Sequence, residues 1–211
     1  MNGYMKPQDI EKRSFEIITA ELGERTFPAG IAEVVKRVIH TTADFDYADS
    51  LAFSPDVIEK AKAALAAGAT VVTDTNMALS GVSKATLAKL GGKAVCLMAD
   101  EQVASEAKAR GVTRAVVSME HAAHFEGPLL FAIGNAPTAL IRLHELIEEG
   151  IVAPALVIGV PVGFVNVVEA KELFIGGDTP YIIARGRKGG SNVAASIVNA
   201  LLYQMVHREG F

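Results

Sequence analysis

The stretch Ala69-Thr70-Val71-Val72-Thr73-Asp74-Thr75-Asn76-Met77 reads as a short, apolar, β-branched strand running into a polar loop. Upstream, Ser54-Pro55 is a good N-cap and N1 pair for a helix that runs through Ala67 and stops at Gly68. This alternation then repeats down the chain. Strands are predicted over Ala94–Met98, Ala115–Met119, Pro128–Gly134, Ala155–Val160 and Tyr181–Ala184. Between them, helices are predicted over Ser80–Leu90, Asp100–Arg110, Pro137–Glu149 and Asn166–Phe174. A long last helix is opened by Ser191 or Asn192, with Val193, Ile197, Val198, Leu201, Leu202 and Met205 on one face. Strands that are apolar on both faces and alternate with helices imply a parallel sheet covered on both sides. With right-handed crossovers, the expected fold is an α/β three-layer α/β/α sandwich with a mainly parallel, doubly wound sheet.

The first fifty residues have a different pattern. Pro7 suits a helix start, and Ile10, Phe15, Ile17, Ile18 and Leu22 recur near helical spacing until Gly23. A second helix is predicted from Ile31 to Ile39. Its apolar stripe is Val34, Val35, Val38 and Ile39, with Glu33, Lys36 and Arg37 on the other face. It ends at His40-Thr41-Thr42, and Asp44-Phe45-Asp46-Tyr47 reads as irregular or a short edge strand. No linker, repeat or low-complexity stretch interrupts the chain. It therefore reads as one domain over residues 1–211, with a helical segment over 1–50 that carries His40.

The 211 residues hold 20 Lys plus Arg against 24 Asp plus Glu, a formal charge of −4. Half of the residues are apolar, which excludes disorder and supplies a substantial core. The acidic balance disfavours a general nucleic-acid binder. The lack of Trp, with 9 Phe and 4 Tyr, implies a core of small aliphatic side chains. Cys96 is the sole cysteine, so no intrachain disulfide forms. Its run Ala94-Val95-Cys96-Leu97-Met98 suits a buried, inert thiol. With no signal-peptide pattern and no long apolar run, the expected setting is the cytoplasm, away from membranes.

The common fingerprints are absent. No Gly-x-Gly-x-x-Gly follows a strand, and there is neither a Walker A run nor a Gly-x-Ser-x-Gly elbow. His121 and His124 stand three apart but lack an evident third ligand, so they read as a polar helix surface or loop, and no metal site is expected. His144 reads as a helix-surface residue and His207 as solvent-facing. His40 is different. At a helix C-terminus, exposed carbonyls favour the imidazolium and raise its pKa, which suits a general acid as well as a simple helix cap. Thr41 or Thr42 can orient it or contact a ligand. The run Arg185-Gly186-Arg187-Lys188-Gly189-Gly190-Ser191-Asn192 puts cations beside glycines at a helix start, a pattern suited to an anion.

Six blocks in order resemble the precorrin-8X methylmutase family, which includes the cobalt-precorrin-8 methylmutases. They are Ile10-Glu11-Lys12-Arg13-Ser14-Phe15, Arg37-Val38-Ile39-His40-Thr41-Thr42-Ala43-Asp44-Phe45, Thr73-Asp74-Thr75-Asn76-Met77, Gly134-Asn135-Ala136-Pro137-Thr138-Ala139-Leu140, Gly159-Val160-Pro161-Val162-Gly163-Phe164-Val165 and Gly186-Arg187-Lys188-Gly189-Gly190-Ser191. The resemblance implies an isomerase of corrin (vitamin B12) biosynthesis. Such an enzyme moves a methyl group from C11 to C12 of precorrin-8 or cobalt-precorrin-8 by an acid-assisted [1,5]-sigmatropic shift, giving hydrogenobyrinic or cobyrinic acid. The family's catalytic histidine falls on His40. The resemblance also implies a homodimer with its site at the subunit interface and no protein cofactor, any cobalt belonging to the substrate. The expected ligand is a tetrapyrrole polycarboxylate. Contacts to it are expected from Arg13, Ser14, Thr41, Thr42, Asp74, Thr75, Asn135, Thr138, Gly163, Arg187, Lys188, Gly189, Gly190 and Ser191, with Met77, Val162 and Phe164 against the ring face. The same loops would also serve a non-catalytic corrinoid carrier, and turnover separates the two.

Overall fold

The computed structural model describes residues 6–206. The chain runs α1 (Pro7–Leu22), α2 (Ile31–Thr42), α3 (Tyr47–Ser50), β1 (Leu51–Phe53), α4 (Val57–Ala66), β2 (Thr70–Thr73), α5 (Asn76–Gly81), α6 (Lys84–Lys89), β3 (Lys93–Val95), α7 (Glu101–Arg110), α8 (Arg114–Ala122), β4 (Leu129–Ile133), α9 (Pro137–Glu148), β5 (Leu156–Gly159), α10 (Val167–Glu172), β6 (Tyr181–Ala184) and α11 (Ser191–Tyr203). The strands form one sheet in the order β1-β6-β5-β4-β2-β3. Five are parallel, and β1 pairs antiparallel with β6, Leu51 opposite Ala184. The expected three-layer, mainly parallel α/β architecture is what forms.

Side-chain alternation along the strands explains the layers. Val71, Leu130, Ala132, Ile158, Ile182 and Ala184 pack with Val35 and Val38 of α2, Leu65 of α4 and Val198 and Leu201 of α11. Val72, Phe131, Ile133, Val157 and Ile183 face the other way, onto Met119 of α8, Leu140 and Leu143 of α9 and Ala170 of α10. The α1 helix lies outside α2 and reaches that core through Ile18 and Leu22. Ala194, Ala195 and Ala200 keep α11 slim, so it packs against α2, α4, α5 and the sheet at once.

Several expectations need correction. Ala115–Met119 is not a strand but lies within α8. Thr113 caps it by accepting the Val116 N–H at 3.3 Å, and the apolar run packs as a helix face against α9. The sixth strand is instead β1, a three-residue edge beside α3. The helix expected over Ser80–Leu90 is two helices. Thr75 starts α5 early by capping the Ala78 N–H, and Val82 is extended. Asn199 of α11 stabilises the break by accepting the Ser83 N–H and donating to the Gly81 carbonyl, both at 2.8 Å. Ser54 does not cap α4; its hydroxyl accepts the Tyr181 N–H at 2.9 Å, on β6, and α4 opens after Asp56. The β3 strand ends at Val95, so half-buried Cys96 lies just beyond it. Gly190, without a side chain, precedes α11, and Ser191 is already helical. His207 lies outside the described residues.

Candidate functional site

His40 sits in the last turn of α2, three residues after Arg37 and so on the same helix face. The two side chains line a groove of about 480 Å³ between α1, α2, α5 and α11. Ile10 and Glu11 of α1 form one wall; Asn192, Ala195, Ser196, Asn199 and Tyr203 of α11 form the other. That size lies within the usual range for small-molecule pockets. The His40 ring stacks on Phe15 with centroids 5.2 Å apart and planes 19° from parallel. Arg37 also lies against Phe15, 4.7 Å from its centroid, and 5.2 Å from that of Tyr203. Its guanidinium is ion-paired with Glu11, which ties α1 to α2.

The expected rise in the His40 pKa is overturned. Burial beside Phe15 and α1 pulls it below its usual value, Arg37 lowers it further, and Glu11 offsets part of this. The last turn is closed by further bonds to carbonyls one turn back. Thr41 Oγ1 donates to the Arg37 carbonyl and Thr42 Oγ1 to that of Val38, both at 2.9 Å, and the Ala43 N–H takes that of Ile39 at 2.7 Å. The surroundings of His40 in the free protein therefore favour the neutral form.

The parallel strand order reverses between β2 and β4, and doubly wound sheets usually bind ligands beyond that point. Here Asp74 fills it. Its carboxylate accepts the backbone N–H groups of Gly134 (2.9 Å), Asn135 (2.7 Å) and Ala136 (2.6 Å). Burial pushes its pKa up, against the pull of those three amides. Thr75 Oγ1 meets Ser191 Oγ at 2.7 Å, joining the β2 loop to the start of α11. A Cβ on Gly134 would come within 2.7 Å of the Ser191 Cα, so only glycine allows this approach.

The basic run lies between β6 and α11. Arg185 pairs with Glu172 at 3.4 Å, and Lys188 with Asp44 and Asp46, both at 2.6 Å. Of its three cations, only Arg187 has no carboxylate partner among the described residues; it lies 5.5 Å from the Phe164 ring centroid. From beneath, fully buried Lys171 donates to the carbonyls of Gly186 (2.8 Å) and Lys188 (2.9 Å). Burial lowers its pKa to about 8.

The sequence-predicted residues thus fall into separate places. His40 and Thr41 share the groove. Asp74, Thr75, Asn135, Gly190 and Ser191 meet at the strand ends, the Gly190 N–H bonding the Val160 carbonyl at 2.8 Å. The Gly163 N–H donates to the Arg187 carbonyl at 3.2 Å. Met77 (72% exposed), Val162 and Phe164 (82%) stand on the surface beyond the strands. Arg13 pairs with Glu16, and Ser14 donates to the Ile10 carbonyl. Thr138 is not near His40: it meets Thr113 at 3.1 Å in a groove between α8 and α9. The expected His121 surface position is refined, since its ring lies 2.8 Å from Glu106. His144 packs edge-on against Phe174 rather than standing free. Among the described residues, no group of three or more His, Cys, Asp or Glu is placed to hold a metal ion. No helix there is long and apolar enough to cross a membrane.

Sequence reading missed Arg37 and the α11 wall. Arg37 was assigned to an outward face, although its spacing from His40 places both on one side. Asn192, Ser196 and Asn199 recur at four and three residues, a polar stripe on an otherwise apolar helix.

A doubly wound α/β fold with a histidine in a ligand-sized groove and a cationic loop at the strand ends has the layout of an enzyme of small molecules. The chain belongs to the precorrin-8X methylmutase family, whose model matches residues 9–204. It is thereby an isomerase that transfers a methyl group within one molecule. It is 46% identical to the cobalt-precorrin-8 methylmutase of Salmonella typhimurium, over 97% of this chain and 99% of that one. It is 41% identical to the precorrin-8X methylmutase of Pseudomonas aeruginosa, over 92% and 94%. The crystal structure of precorrin-8X methylmutase from Thermus thermophilus superposes with a TM-score of 0.84 at 37% identity, over 92% and 95%.

Proposed function

We propose that the protein moves the methyl group at C11 of precorrin-8 or cobalt-precorrin-8 to C12, giving hydrogenobyrinic or cobyrinic acid, with His40 as the acid. The C11–methyl bond breaks as the C12–methyl bond forms, so no methyl donor and no protein cofactor is needed. His40 lends a proton to a ring nitrogen and takes it back, a role worth roughly 10²–10⁴-fold. The observation that carries this reading is His40 stacked on Phe15 in a groove beside Arg37.

The low pKa of free His40 assigns a second role to the substrate. Its carboxylates offset the Arg37 charge and bring His40 to the protonated form when bound. Arg187 receives further carboxylates. Asn192 lines the groove one residue past Ser191, so the first turn of α11 links the groove to the strand-end loops. The exposed faces of Met77, Phe164 and Val165 (77% exposed) lie against the macrocycle, and a second subunit closes over them in a homodimer. The setting is the cytoplasm.

Purified protein incubated with metal-free and with cobalt-loaded precorrin-8 is expected to convert at least one of them, seen as an absorbance change. Binding of both without conversion of either would establish a carrier instead.

A further inference from the structure

The loop over residues 185–190 is held from inside by a charge that no carboxylate among the described residues neutralises. Lys171 is the only fully buried lysine among the described residues, and its two partners are the carbonyls of Gly186 and Lys188. A trans peptide points its N–H opposite to its C=O. Drawing the Gly186 and Lys188 carbonyls inward therefore turns the N–H groups of Arg187 and Gly189 outward. Neither of these N–H groups has an acceptor among the described residues. The carbonyl between them, that of Arg187, is taken by the Gly163 N–H. Gly189 must be glycine, since a Cβ would lie 2.0 Å from the Val160 carbonyl oxygen.

We propose that Lys171 is a positioning residue. Its buried ammonium sets the two peptide planes so that the Arg187 and Gly189 N–H groups, with the Arg187 guanidinium, form a receptor for one carboxylate of the substrate. The proposal rests on the reading of this loop as substrate-binding. The ammonium does not touch the ligand. It acts by orienting donors and by adding a positive charge behind them, where low polarity preserves its field. A buried charge without a counter-ion is costly in the free protein, and an arriving carboxylate offsets that cost.

The test is Lys171→Met, which keeps length and removes both charge and donors. Hydrogenobyrinic acid is expected to bind at least about tenfold more weakly, the equivalent of one lost charge-assisted hydrogen bond. KM should rise by a similar factor with kcat at saturation little changed. Lys171→Gln, which keeps a donor without the charge, should recover part of the loss. Unchanged affinity in folded Lys171→Met, with Arg187→Ala weakened, overturns the role of Lys171 and leaves the loop reading standing. Unchanged affinity in Arg187→Ala overturns the loop reading itself. Where neither Lys171 variant folds, the slowly exchanging Nζ signal of 15N-lysine-labelled wild type decides. It is expected to move on adding hydrogenobyrinic acid, and no movement overturns the proposal.

Discussion

The groove around His40 and the groove between α8 and α9 are both lined by arginine and glutamate, and they differ in how the charges are used. In the first, Arg37 has Glu11 as its ion-pair partner, two aromatic rings at its sides and a histidine three residues on. In the second, Arg110 and Arg142 are held by four carboxylates. Arg110 bonds Glu106 at 2.6 Å and Glu120 at 2.5 and 3.0 Å; Arg142 bonds Glu120 and Glu145 at 2.8 Å and Glu149 at 3.2 Å. His121, beside this ion-pair network, is taken by Glu106. Both cavities are of ligand size, about 480 and 380 Å³. The arginines of the second are bound by four carboxylates, two of which, Glu120 and Glu145, line the cavity; the first has one carboxylate, Glu11, beside its arginine, and a histidine that can take up a proton. Arginine in a cavity therefore does not mark a site by itself. What sets the His40 groove apart is a histidine ring stacked on Phe15 beside the arginine.

The sharpest way to break this contrast is His40→Ala. It is expected to lower turnover by about 10²–10⁴-fold, the usual worth of a general acid, while hydrogenobyrinic acid still binds. Near-normal conversion in steady-state assays would remove His40 as the acid. Asp74→Asn comes next and acts on stability. An amide cannot accept at both ends as the carboxylate does, so one of the three N–H groups is left facing a donor. A loss of about 1–3 kcal/mol is expected in denaturant unfolding. An unchanged midpoint would show that the strand-end junction does not depend on Asp74.

The third prediction concerns pH. A His40 pKa below its usual value means that the acid form is lost as pH rises through that low value in the free enzyme. The kcat/KM limb, which reports the free enzyme, should therefore lie at lower pH than the kcat limb, which reports the complex with its added carboxylates. Arg37→Leu removes a positive neighbour and should raise the His40 pKa, moving the kcat/KM limb upward while weakening binding. NMR titration of the His40 ring in both proteins checks this. A limb that stays in place would mean that Arg37 does not tune His40.

Much of the fold was readable because helix and strand signals agree along most of the chain. Tyr181–Ala184 stands as expected between a proline and a basic loop, and Pro7 and Gly23 bracket α1. The misreading of α8 has a local cause. Its apolar run, Ala115-Val116-Val117, is rich in β-branched residues but too short to show a period, and only packing on α9 decides it. The β1 strand was missed because three residues carry no pattern; pairing with β6 makes it a strand. The helix-end position of His40 was legible, but its electrostatics were misjudged. Phe15 and Arg37 come from outside the helix end or from its far-looking face, and no local rule weighs them. Asp74 shows the same limit. Its three partners lie about sixty residues away, so a polar loop residue that looked free for a ligand is committed to the backbone.

The smallest effect belongs to the second groove. Arg142→Ala removes the arginine that bridges Glu120, Glu145 and Glu149, and the Arg110 contacts to Glu120 remain. The pairs to Glu145 and Glu149 are surface ion pairs and the one to Glu120 is half-buried, so each contributes about 0.2–1 kcal/mol, less in salt. Thermal unfolding should therefore show a small loss that shrinks further at high ionic strength, and turnover should be unchanged. Glu120 and Glu145 in the lining, with Glu106 and Glu149 in the same ion-pair network, disfavour a polycarboxylate there whether or not one arginine is present. A large fall in turnover would place the α8–α9 groove in the reaction and erase the contrast with His40.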